Sequence, residues 1–141
     1  MFKVTLIPED ARILIECWGF WDVPCACAFR DELEAVLRAG TALGRPLRML
    51  ADLSEHAIQD SRVSDVNAQA AHWIQQAPVE RYALVIHSAL LRLQARRLLN
   101  GIAFEVFDSV DPAAQWLGWP AQELDSRLHQ PRLGPPSTTQ H

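Results

Sequence analysis

Asp52, His56 and Ser61 fall in one short stretch, DLSEHAIQDS, and supply the residue types of a hydrolytic triad. That chemistry needs a base within hydrogen-bond reach of the hydroxyl and donors for the developing oxyanion. The GxSxG turn that usually builds both is absent, so no residue is assigned a catalytic role and no enzyme is expected. Ser61 has a simpler use. With Asp60 it stands where an apolar strand gives way to an amphipathic pattern, the place where a hydroxyl or carboxylate caps a helix. A phosphate on Ser61 would suit the same helix start electrostatically, with Asp60 opposing it by like charge. Ser61 and Asp60 are therefore candidates for a helix cap or a phosphoacceptor.

Cys25-Ala26-Cys27 invites a metal or redox reading. On a helix, side chains two residues apart point about 200° away from each other, so the two sulfurs cannot readily share an ion. The CxxC spacing of redox motifs is missing, and the five histidines are scattered without an HExxH pattern. Cys17 reads as a small hydrophobe in a strand. No GxGxxG or GxxxxGK[ST] loop marks a phosphate cradle. Neither a metal nor a cofactor is expected.

Two other groups of residues can bind. Arg92, Arg96 and Arg97 lie among Leu90, Leu91, Leu93, Leu98 and Leu99. They read as long cations covering apolar surface, or as contacts for an acidic partner or a lipid head group. Trp18, Phe20 and Trp21 concentrate more aromatic surface than one strand face can hide. Trp18, Trp21 and Trp73 are thus candidates to line an apolar pocket, and an exposed aromatic would suit a protein interface.

The elements that must position these residues are legible in the hydropathy pattern. The 141 residues, 49% hydrophobic and 21% charged, fit one ordinary globular domain with its own core. A net charge of −4 offers nucleic acid no electrostatic footprint. No run of about 18 apolar residues occurs, and MFKVTLIPED lacks the pattern of a secretory signal. Together with an odd number of cysteines, this gives the expectation of a cytoplasmic protein without a membrane span.

FKVTLI (2–7) and RILIECWGFW, joined by PEDA, predict an antiparallel hairpin. Asp22 predicts an N-cap, Pro24 a first helical turn, and Gly40 the end of that helix. LRMLADL (47–53) and YALVIH (82–87) are nearly continuous apolar runs, as strands covered on both faces must be. A helix over about 62–76 aligns Val63, Val66, Ala70, Trp73 and Ile74, and another runs through Leu91, Ala95, Leu98 and Leu99. IAFEVF (102–107) is the last strand, and a short helix containing AAQWL ends at Gly118. The order β-β-α-β-α-β-α-β-α predicts an α/β fold, a mixed five-stranded sheet whose first strand is antiparallel. The domain spans 1–119, and the polar, proline-bearing 120–141 reads as a largely disordered tail.

This order, with Asp52-Leu53-Ser54, then Ile58, then Asp60-Ser61, resembles the STAS domain of the SpoIIAA-like anti-sigma-factor antagonists. The segment VFDSVDPAAQWLG also looks like the ending of small STAS-like proteins, a group similar in fold to CRAL-TRIO lipid-transfer domains. The resemblance implies a non-enzymatic bacterial signalling domain that acts by protein–protein contact, with Ser61 the residue a partner kinase would phosphorylate. It places the contact surface on Asp52, Ser54, His56, Ile58 and the start of the following helix. Arg62, Val63 and Ser64 stand where that family has small residues and a glycine. The alternatives are a carrier of a lipid or other small apolar ligand, with the arginines at its polar end, and a plain interaction module that forms a homodimer.

Overall fold

The computed structural model describes residues 1–57 and 61–119. Ile58, Asp60 and the tail 120–141 lie outside the described residues. Strands β1 (Phe2–Ile7) and β2 (Arg12–Gly19) form the expected hairpin across a 3-10 turn at Pro8–Asp10. Helix α1 (Val23–Thr41) leads to β3 (Leu47–His56), α2 (Ser61–Gln76) to β4 (Val79–Val85), and α3 (Ala89–Leu98) to β5 (Phe104–Phe107). Helix α4 (Val110–Leu117) ends the described chain.

The sheet order in space is β1-β2-β3-β4-β5, with β1 antiparallel to β2 and every other pair parallel. Three right-handed crossovers that all step in the same direction place their helices on the same face. A core of Ile13, Ile15, Met49, Ala51, Tyr82 and Leu84 accordingly meets α1, α2 and α3. On the opposite face Ile7, Leu14, Leu50, Ala83 and Val85 meet Ala113, Ala114 and Leu117 of α4. β3 is the middle strand. Its apolar run and that of β4 are hidden between these two layers.

Local chemistry explains the helix boundaries. The Asp22 carboxylate accepts from the Cys25 amide at 2.9 Å, which caps α1, and Pro24 sits in the first turn. Gly40 lies one residue from the end of that helix, close to where its sequence position predicts. A Cβ there would stand 3.1 Å from both methyls of Leu47, so the glycine lets α1 lie close on β3. The turn that follows uses Gly44, at φ +72. Four strands also differ in extent from the sequence pattern, β2 stopping at Gly19 and β5 starting only at Phe104. β4 starts earlier because Leu47 pairs with Val79, and β3 continues to His56.

A feature invisible in the sequence holds α4 down. Arg12, Arg48 and Arg81 are cross-strand neighbours at the start of β2, β3 and β4. Like charges placed side by side in a sheet repel, so each must find a partner. Arg48 donates to the Leu117 carbonyl and to Glu80, and Arg81 donates to the Trp116 carbonyl. Arg81 also lies over the Trp116 ring and Arg12 over the Trp119 ring. These carbonyls are the unpaired acceptors at the helix C-terminus, where cations are favoured.

Gly118 completes the end of α4 at φ +76, and its amide bonds back to the Gln115 carbonyl at 3.1 Å. Gly118→Ala is expected to lower stability by about 1 kcal/mol, because a side chain is strained in that left-handed region. Urea unfolding checks it, and Gly118→Asn is expected to lose less than the alanine variant.

Candidate functional site

Between the sheet and helices α1, α2 and α3 lies a cavity of about 130 Å³. Its floor is Ile15 and Cys17 of β2, Leu53 and His56 of β3, and Tyr82, Leu84 and Ile86 around β4. Phe29 and Leu33 of α1, Ala70, Ala71 and Ile74 of α2, and Leu91, Ala95 and Leu98 of α3 close it from above. Alanines at these helix positions leave room that larger side chains would fill.

His56 reaches the cavity because β3 is irregular. Glu16 pairs with Asp52 but Trp18 pairs with Glu55, so β3 carries one extra residue between the two pairs. Side chains in a strand alternate faces, and an extra residue inverts that alternation beyond it. Before the bulge Leu50 faces α4 and Ala51 and Leu53 face the cavity side. Without the bulge the even-numbered His56 would share the face of Leu50. With it, His56 turns into the cavity.

Asp52 and Ser54 shape this bulge. The Asp52 Oδ1 atom accepts from the Ser54 amide at 3.0 Å and from its hydroxyl at 2.6 Å. A side chain that bonds the backbone two residues on replaces the ladder bonds a bulge removes. Asp52 is therefore engaged with Ser54 on the face away from the cavity, and it does not join His56 and Ser61 in a triad. Among the described residues no three His, Cys, Asp or Glu side chains come together as a metal site.

Trp21 forms one wall of the cavity. It is buried, and its indole N–H donates to the carbonyls of Met1 at 3.1 Å and Trp18 at 3.2 Å. Its ring meets the His56 imidazole edge-on, with centroids 4.7 Å apart and planes at 72°. Burial and the nearby N-terminal ammonium pull the His56 pKa down to about 4, so the ring is neutral at pH 7. Burial also pushes the Tyr82 phenol and the Cys17 thiol upward, and both stay protonated. Among the described residues no charged side chain lines the cavity.

Two polar atoms inside this apolar shell lack partners. His56 Nδ1 and Asn67 Oδ1 are both buried and make no hydrogen bond. Asn67 occupies an inward position of α2, one turn from Val63 and Ala70. A polar residue on that apolar stripe is the signal in the sequence that could have marked it.

The other candidates divide. Trp18 does not line the cavity, because alternation along β2 sends it to the face opposite Ile15 and Cys17. Trp73 does not line it either. It borders an open polar groove between α1 and α2, with Arg30, Glu34 and His72. The arginines are likewise away from the cavity lining. Arg92 donates to the Ile86 carbonyl at 3.0 Å and pairs with Asp108, and Arg96 and Arg97 are exposed on the last turn of α3. Ser61 is the exposed first residue of α2. Phe20, 73% exposed, is the aromatic the strand face could not hide. No helix among the described residues is long and apolar enough to cross a membrane. Compared with known proteins, the chain matches no family model and no curated protein.

Proposed function

We propose that this protein binds a small, uncharged, largely apolar molecule in the cavity between the sheet and helices α1 to α3. The observation that carries this reading is the cavity itself, about 130 Å³ of space walled mainly by apolar side chains and, among the described residues, by no charged one. A dry apolar cavity of about 150 Å³ is large enough to take a benzene-sized ring. Long-chain lipids exceed it, and an anionic head group would find no cation within it. The ligand is therefore smaller and more neutral than the lipid-carrier expectation implies.

Toluene serves as a probe that needs only volume and apolar lining. At fivefold its Kd it is expected to stabilise the protein by about 1 kcal/mol, read as a rise in Tm. Ala71→Leu, which fills the space from α2, is expected to abolish the shift. An unchanged Tm in the natural protein, or an equal shift in the variant, would refute the binding reading.

A regulatory role through protein contact, switched at Ser61, is a second proposal, supported by the exposure of Ser61 at the start of α2. The element order supports reading the chain as STAS-like in this sense. A phosphopeptide containing Ser61 from native cells would favour it. Asn67 lies on the same helix, less than two turns along. A charge at Ser61 and an occupied cavity would then act on one element.

A further inference from the structure

We infer that the molecule held in this cavity carries a hydroxyl group, seated on His56 Nδ1 and Asn67 Oδ1. This rests on the binding reading and goes further, since it names the group that the cavity recognises. Folded proteins leave few buried polar atoms unpaired, and each costs about as much as a lost hydrogen bond. Here the two residues that carry such atoms both line one mainly apolar cavity, whose other polar side chains are Gln94 and the Tyr82 phenol.

The chemistry narrows the group. Asn67 Oδ1 is an acceptor and asks for a donor. His56 Nδ1 donates or accepts according to its tautomer, and a neutral ring keeps both options. A hydroxyl both donates and accepts, so with the ring proton on Nδ1 one oxygen satisfies both atoms, accepting from His56 Nδ1–H and donating to Asn67 Oδ1. An ammonium cannot accept, and a carboxylate cannot donate to Asn67. A lone water would satisfy the same atoms but leave the apolar remainder of the space unfilled. A compact alcohol or phenol fits both parts.

Phenol and toluene have nearly the same shape and differ in the group of interest. In a plain apolar cavity phenol binds at least about tenfold more weakly, because its hydroxyl loses water without replacement. Here phenol is expected to bind at least as tightly as toluene, measured by titration calorimetry and by the fluorescence response of the tryptophans. Asn67→Leu and, separately, His56→Phe are expected to weaken phenol at least tenfold while changing toluene less than threefold. If toluene binds and phenol is tenfold weaker in the natural protein, the hydroxyl inference is wrong and the binding reading stands. If phenol binds tightly but neither substitution weakens it, His56 and Asn67 are not its partners and the inference is overturned. If neither probe binds, both readings fall together.

Discussion

Replacing Arg48 and Arg81 together by methionine is expected to cost about 3 kcal/mol and to free helix α4 from the sheet. Each arginine satisfies a carbonyl at the C-terminus of α4, Leu117 for Arg48 and Trp116 for Arg81. A hydrogen bond to a charged group contributes about 1.5–3 kcal/mol, and both side chains here are part-exposed, which favours the lower end. Methionine keeps the apolar stem that lies along the sheet, so the loss reports the guanidinium and not a missing volume. The two effects should be less than additive, because either change loosens the same helix. Urea unfolding measures the loss, and near-ultraviolet circular dichroism should report altered surroundings of Trp116 and Trp119. Additive effects of less than about 1 kcal/mol in total would show that apolar packing alone holds α4.

The second large effect is one of acidity. The His56 pKa lies at about 4 in the folded protein against an ordinary value of 6.5. At pH 7 the ring is neutral whether the chain is folded or not, and it contributes nothing to the pH dependence. As the pH falls below 6.5 the unfolded chain takes up a proton that the folded chain refuses, and stability drops until the folded ring also titrates near pH 4. The full shift corresponds to about 3 kcal/mol, which the partial exposure of His56 reduces to about 2 kcal/mol. Groups facing the ring are the Trp21 indole, the N-terminal ammonium and the neutral cavity wall, so nothing nearby favours an imidazolium. His56→Gln is expected to remove this part of the slope between pH 6.5 and pH 4. The carboxylates titrate alike in both proteins, so the difference isolates His56. Parallel stability profiles for the two would refute the assignment.

How much of this was readable beforehand depends on the range of the interaction concerned. The nine strands and helices of the described residues, their order and the antiparallel first strand follow from local periodicity, and the structure has them. Gly40 signals a nearby helix end, and α1 does end one residue later at Thr41, but its contact with Leu47 across the chain is not local and no single segment shows it. The tryptophans show the same limit. Burial of aromatic surface was visible near Trp21, but which face each ring takes is set by strand parity and helix rotation. Only Trp21 of the three reaches the cavity. The sequence places His56 in a loop, whereas a single extra residue in β3 makes it part of the cavity wall. Asn67 stands on the apolar stripe of α2, but only the tertiary packing shows that its amide oxygen is buried without a partner. The arginine row needs strand register, which no single segment contains.

The sheet order has a consequence for how the protein is made. Among the described residues each strand pairs only with its neighbours in the chain, in the order β1-β2-β3-β4-β5. During synthesis a new strand therefore always emerges next to a partner that is already in place, and no strand must be inserted between two others. Pairings of this kind close short loops and favour growth from the N-terminus as the chain leaves the ribosome. The exception is the second layer. Leu14, Leu50, Ala83 and Val85 wait uncovered until α4, the last helix among the described residues, arrives. A nascent chain halted before Val110 would display that apolar face, so docking of α4 sets when this exposed surface is removed.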